Sequence, residues 1–196
     1  MSATNYVFII QSLISLFCMS FSRKSMDELN RPGIEAVEQK SKLPVTVILE
    51  NIRSGLNIGS VFRSSDAFNV EKIILTGYSV VPPHREILKT ALDATNSVKW
   101  EYQESALTAI ASLKSAGYQI GIVEQVHGSI FLQEFIPLLH TPFALVFGNE
   151  VHGVSDEVIG LADFAVEIPQ VGIKHSLNIS VCAGIVLWHV YKSINS

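Results

Sequence analysis

Cysteine is nearly absent from this chain of 196 residues: only Cys18 and Cys182 occur, both in apolar runs. Two thiols build neither a disulfide framework nor a cysteine metal set, so the composition points to a reduced, cytoplasmic setting. Charge is also scarce, at 16% of residues with a net charge of −4. That excludes a surface coated in basic side chains for indiscriminate nucleic-acid binding. The charge is unevenly spread, however. Residues 1–65 carry seven Lys and Arg against five Asp and Glu, and residues 101–196 carry three against nine. A local basic surface for phosphates in the N-terminal half is therefore allowed.

Long apolar runs are missing too. Val7–Phe21 is apolar but interrupted by Gln11, Ser12, Ser15 and Ser20, and it falls short of the ~20 residues a membrane helix needs. It has no basic leader and no small-residue cleavage site. Three readings stay open: a segment upstream of the natural start, with Met19 or Met26 as initiator; a helix packed on the domain; or a membrane anchor. The first is preferred and a membrane partner is not expected. Residues 1–42 read as an N-terminal extension, of which 1–22 need not be native or ordered, and 43–196 read as one domain.

Several chemical signatures are lacking. No G-x-G-x-x-G follows the first strand and no G-x-x-x-x-G-K-[ST] occurs, which argues against dinucleotide and P-loop enzymes. There is no H-E-x-x-H, no Cys/His set at metal spacing and no G-x-S-x-G, so a zinc enzyme and an α/β hydrolase are disfavoured. No metal site is expected.

What the chain does have is an alternation of strand-like and helix-like segments. Val45–Glu50, Lys72–Thr76, Val98–Tyr102, Tyr118–Val123, Phe143–Phe147 and Phe164–Ile168 read as strands by their apolar, β-branched content. Helices are expected within Arg23–Lys42 (one short helix), over 58–68, near Glu86–Ala94, over Ser105–Ala116 and Ser155–Leu161, and finally over Leu177–Lys192. Ser155 and Ser176 are candidate caps. The alternation predicts an α/β fold, a mostly parallel sheet with helices on both faces.

Three polar, glycine-marked blocks follow or interrupt strands: Asn51–Phe68, Leu145–Ser155 and Ile168–Ile185. An open α/β sheet binds ligands outside the carboxyl ends of its strands, so the blocks mark a site. Asn57 and Gly59 open a helix, where free N–H groups favour an anion. Taken singly, each residue has an ordinary structural explanation. A lone Arg63 suits a solvated helix face, Ser176 a cap, Glu150 a turn, and Gly148, Gly153 and Gly172 tight turns. His152 and His175 read as loop residues. The joint pattern is the stronger observation.

Together the blocks resemble the three motifs of the SpoU (TrmH-type) branch of the SPOUT RNA methyltransferases. Asn51, Asn57, Gly59, Ser60 and Arg63 match the first motif. Gly148, Glu150, Gly153 and Ser155 match the second, and Ile168, Pro169, Gly172, Ser176, Leu177, Asn178 and Ser180 match the third. The match spans ~43 to 192. Gln170 stands where methionine is common. His84–Ala94 fits the family's basic-serine-glycine-alanine stretch only loosely, with Asp93 at a usual glycine, which leaves RNA contacts there open.

The resemblance implies a C-terminal deep trefoil knot, a homodimer and bound S-adenosylmethionine. The cofactor would lie against Leu145, Phe147, Gly148, Asn149, Ile168, Gly172, Ser176, Leu177 and Asn178. It further implies methylation of a ribose 2′-hydroxyl in tRNA or rRNA, with tRNA favoured. Arg63 would be catalytic, either as an unusually deprotonated base or by binding a phosphate and polarising the hydroxyl. Asn51 would orient Arg63, Glu150 would hold its loop or pair with an arginine, and Ser176 and Asn178 would place the ribose or the cofactor loop. Two other readings compete: a catalytically inactive RNA-binding or assembly protein of the same fold, and a base methyltransferase.

Overall fold

The computed structural model describes residues 21–25, 27–28, 41–137, 141–173 and 176–195. The expectations for most of Val7–Phe21, for Cys18, for most of the Arg23–Lys42 lead-in and for His175 fall outside that set. The chain divides into two units, Met1–Gln39 and Lys40–Ser196. In the first, the Ser25 and Glu28 backbone N–H groups each donate to the other residue's side chain.

The second unit is built on seven strands: β1 (Leu43–Glu50), β2 (Val70–Thr76), β3 (Trp100–Gln103), β4 (Gln119–Val123), β5 (Ile130–Phe131), β6 (Phe143–Phe147) and β7 (Phe164–Glu167). They form one sheet in the order β3-β2-β1-β6-β4-β7-β5, and every pairing is parallel. Parallel strands are covered on both faces, so β1 and β6 are apolar on both. Alternate residues of β1 point to opposite layers. Val45, Val47 and Leu49 join one core cluster and Ile48 the other.

The first layer holds helices α1 (Gly55–Ala67), α2 (Arg85–Ala91), α3 (Ala94–Ser97) and α6 (Ile179–Asn195); the second holds α4 (Ala106–Ser115) and α5 (Asp156–Ile159). Helix α1 begins before the expected residue 58, because Ser54 caps it by accepting from the Asn57 N–H at 3.2 Å. The helix expected to reach Ala94 breaks at Leu92 (φ 47°) and Asp93 (φ 68°), and α3 restarts after it. Both residues adopt the left-handed conformation that glycine takes without steric cost, which accounts for glycine being usual at position 93.

One expected cap holds by position and the other is corrected. Ser155 occupies the N-cap of α5, its carbonyl accepting from the Ile159 N–H at 2.9 Å, but its side chain makes no cap bond; its N–H and hydroxyl both go to Glu50, at 3.0 and 2.6 Å. Ser176 lies ahead of α6, and the capping residue is Asn178. Its carbonyl accepts from the Cys182 N–H at 2.9 Å and its Oδ1 accepts from the Ser180 N–H at 3.0 Å. The short edge strand β5 was too brief to register as a period in the sequence. No helix among the described residues is long and apolar enough to cross a membrane.

Candidate functional site

A parallel sheet brings all its carboxyl ends to one edge. The chain runs outward from β1 to β3 and then returns to the other side of β1, so the direction of winding switches between β1 and β6. The first two motif blocks leave the sheet there.

Beside this point, beyond the ends of β4, β6 and β7, lies a cavity of about 490 Å³, within the ~300–1,000 Å³ typical of small-molecule sites. Its walls are the Phe147–Val154 loop, the stretch from Glu167 through Ile168 to Gln170, and the approach to α6 at Ser176, Leu177 and Ile179, with Val123–Val126 as the floor. Of the residues expected to hold the cofactor, Phe147, Gly148, Asn149, Ile168, Ser176 and Leu177 line it. Leu145 does not: it is fully buried in the core, in mid-strand. Gly172 is also off the wall, and a side chain there would meet nothing within 4 Å. Asn178 stands at the rim rather than on the wall.

The second loop owes its shape to four residues. The Gly148 backbone packs so closely on the returning turn that a Cβ would lie 2.1 Å from the Gly153 carbonyl carbon, so the main chain itself forms the wall. Asn149, almost buried, accepts from the Val151 and His152 N–H groups through Oδ1. Its Nδ2 donates to the Asn51 carbonyl at 2.8 Å and to the Tyr78 hydroxyl at 3.3 Å. Two carboxylates support the loop from below: Glu50, buried at the end of β1, takes Ser155, and Glu124 takes the Val154 N–H at 3.1 Å.

At the rim one chain of side-chain bonds joins all three motif blocks. Asn57 Nδ2 donates to Glu150 Oε1 at 3.0 Å, and Asn178 Nδ2 donates to Asn57 Oδ1 at 3.1 Å. Glu150 thus holds its loop to the start of α1 and bonds an asparagine, not an arginine. Asn51 also differs from expectation. With φ 60° it accepts from the Tyr78 N–H through Oδ1 and makes no bond to Arg63. Arg63 is exposed on α1, lies outside the cavity lining, and has no hydrogen bond or ion pair among the described residues.

Glu124, Asp156, Glu167 and Cys182 also line the cavity, and no motif pointed to them. Glu124 follows the last residue of β4, and applying the strand-end rule to every strand would have found it. Burial, then the nearby Glu124 charge, pushes the Cys182 thiol up to about 12, so it stays protonated and inert near neutral pH.

The wall suits S-adenosylmethionine. Main-chain groups and apolar side chains offer an adenosine-sized slot, and Glu124, Glu150, Asp156 and Glu167 complement a ligand bearing sulfonium and ammonium charges. Among the described residues no group of His, Cys, Asp and Glu could hold a metal ion.

Comparison with known proteins places this geometry. The chain is 29% identical to a putative TrmH family tRNA/rRNA methyltransferase of Staphylococcus haemolyticus, over 81% of this chain but 63% of that protein. It is 31% identical to the tRNA (guanosine(18)-2′-O)-methyltransferase of Thermus thermophilus, over 84% of this chain and 83% of that one. The fold superposes on the crystal structure of an AdoMet-bound rRNA methyltransferase from Sinorhizobium meliloti with a TM-score of 0.71 at 24% identity, covering 81% and 62% of the two chains. The model of the SpoU rRNA Methylase family matches residues 44–188, and it is to this family that the chain belongs.

Proposed function

We propose that this protein transfers a methyl group from S-adenosylmethionine to a ribose 2′-hydroxyl of tRNA or rRNA in the cytoplasm. The observation that carries this reading is the Asn178–Asn57–Glu150 bond chain on the rim of the cavity: the three motif blocks, far apart in sequence, close around one site. When bound, the cofactor supplies a methyl group on a sulfonium, whose departure as a thioether requires no proton.

The remaining work falls to the chain. A ribose hydroxyl keeps its proton at neutral pH, so it must be oriented, its developing charge stabilised, and its proton passed to a base or to water as the methyl group arrives. Arg63 is suited to this: it is exposed, carries no carboxylate partner among the described residues, and a guanidinium binds phosphate bidentately. A guanidinium keeps its proton in proteins and so makes a poor base. Holding the target phosphate and polarising the hydroxyl is therefore the role assigned to it; the other reading is an unusually deprotonated Arg63, helped by a neighbouring phosphate, acting as the base. Asn57, Glu150 and Asn178 position the loops, Asn51 anchors the second loop through Asn149, and Ser176 lines the cofactor wall.

Two further features belong to the proposal. The C-terminal segment forms a trefoil knot, a reading supported by β6 lying between β1 and β4 in the sheet and by family membership. The protein is a homodimer; Val181, Ile185 and Trp188, spaced four and three residues apart on α6, leave an apolar stripe 39–53% exposed, of the kind that marks an interaction face.

The test incubates purified protein with radiolabelled S-adenosylmethionine and bulk tRNA or rRNA, followed by nuclease digestion. Label in nuclease-resistant dinucleotides is expected. Arg63→Ala should abolish transfer and leave cofactor binding intact, whereas label on a base, or near-normal transfer by Arg63→Ala, refutes the assignment.

A further inference from the structure

We propose that Arg53 and Tyr78 form a stacking platform for an unpaired nucleotide of the RNA, beside the methyl-transfer site; this rests on the function proposed above. Both side chains lie at the carboxyl ends of adjacent strands, Arg53 after β1 and Tyr78 after β2. The Arg53 guanidinium carbon sits 4.7 Å from the Tyr78 ring centroid. Arg53 is exposed, Tyr78 is 49% exposed and the neighbouring Tyr102 46% exposed.

The backbone beneath them is fixed, which is unusual for so exposed a pair. The Ile52 N–H donates to Ser79 Oγ at 2.8 Å, Ser79 Oγ donates to the Leu49 carbonyl at 3.1 Å, and the Val80 N–H donates to the Ile52 carbonyl at 3.2 Å. Asn51 is held at a positive φ to accept from the Tyr78 N–H, and strained backbone of this kind persists where the surroundings hold it, often at functional sites. Tyr102 in turn donates its hydroxyl hydrogen to the Gly77 carbonyl at 2.8 Å. A rigid base thus presents an aromatic face and a guanidinium plane to water.

That combination matches one ligand chemistry. Unstacked bases stack on aromatic rings and on arginine planes, and the arginine also meets a backbone phosphate. Arg53 has no carboxylate partner among the described residues, where ion pairs join only Lys72 to Glu101 and Lys114 to Asp163. The platform also adjoins the site: the Tyr78 hydroxyl accepts from Asn149 Nδ2, and Asn149 shapes the loop that walls the cavity. A nucleotide stacked here brings its sugar and flanking phosphates to the rim. A paired base has both faces covered, so the platform selects single-stranded or flipped-out nucleotides.

The test measures binding of a fluorescein-labelled unstructured RNA oligonucleotide, and of the same strand annealed into a duplex, by anisotropy, with S-adenosylmethionine affinity measured separately by calorimetry. Tyr78→Ala should weaken single-strand binding roughly 5- to 150-fold, from ~1–3 kcal/mol per stacked base. Duplex binding should be unchanged, and any change in cofactor affinity should be the same small one in Tyr78→Ala and Tyr78→Phe, since both lose the hydroxyl that accepts from Asn149. Tyr78→Phe, which keeps the ring, should retain single-strand affinity, and Arg53→Ala should lose it. Unchanged single-strand binding by Tyr78→Ala overturns the platform. So does a parallel loss of cofactor and RNA affinity in both Tyr78 variants, since Tyr78 would then only prop up Asn149. If the wild type binds neither RNA form and transfers no methyl group, the proposed function fails and takes this inference with it; an active wild type with unaffected variants removes the platform alone.

Discussion

Replacing Asn57 by Asp removes the donor from the bond that closes the site. In the native protein Asn57 Nδ2 donates to Glu150 Oε1 at 3.0 Å and its Oδ1 accepts from Asn178. In Asn57→Asp the second bond survives, but a carboxylate faces a carboxylate at that separation. Two unit charges about 3 Å apart in water repel by ~1.4 kcal/mol, and the lost bond, exposed and hence discounted, adds up to ~1 kcal/mol. The sum, up to about 2.4 kcal/mol, acts against the closed loop. It would lower the fraction of molecules competent to bind cofactor, and so the apparent affinity, by at most about 60-fold. The loop's other anchors at Asn149 and Glu50 keep the loss below that ceiling. Calorimetric titration with S-adenosylmethionine reads the affinity, and raising the salt concentration should recover part of it. The decisive measurement is rescue: Glu150→Gln in the Asn57→Asp background restores a donor opposite the new carboxylate, so cofactor affinity should return. If the double variant binds as poorly as the single one, or if Asn57→Asp binds as the wild type does, the bond chain does not order the site and the reasoning fails.

Other consequences follow from particular contacts. Glu50→Ala strips two hydrogen-bond acceptors from Ser155 and should cost about 2–4 kcal/mol in urea unfolding, whereas Glu50→Gln, able to accept from the N–H and donate to the hydroxyl, should cost much less; equal costs would place the effect elsewhere. Asp93→Gly removes left-handed strain at φ 68° and should raise the unfolding free energy by about 1 kcal/mol at most, and the urea midpoint with it; a lower midpoint would contradict that strain. The Cys182 thiol is raised from an ordinary 9.0 to about 12 by burial and the Glu124 charge. Because the folded value lies above the unfolded one, the native state holds the proton more tightly. The associated stability is present below the unfolded value and lost as pH climbs towards the folded one. At pH 9.0, iodoacetamide should therefore label Cys182 in denatured protein and spare it in native protein, as read by peptide mass mapping.

Sequence by itself determined the class of the fold and the location of the site. Apolar runs without alternation, as in Val45–Glu50 and Phe143–Phe147, require a strand buried on both faces, and therefore parallel pairing with helices over each side. Loops at the carboxyl ends of such strands are the ligand loops, so the glycine-marked blocks could be placed at a site before any coordinates. Composition also left the two thiols, Cys18 and Cys182, too few for a disulfide framework or a cysteine metal set.

Tertiary structure decided which side chains meet. Asn57 and Glu150 are 93 residues apart and Asn57 and Asn178 are 121 apart, and no local pattern specifies a pairing at that range. The same holds for Ser155, which has the sequence of a helix cap but is claimed by a carboxylate 105 residues away. A buried carboxylate must be hydrogen-bonded, and that demand outweighs a cap that water can satisfy. Leu145 and Asn51 illustrate the limit from the other side. Motif membership put one on the cofactor wall and the other beside Arg63, yet strand alternation turns Leu145 into the core, and the left-handed turn at Asn51 directs it to Tyr78 and Asn149. Periodicity assigns a residue to a face and an end of an element; only the packing of the finished sheet assigns it a partner.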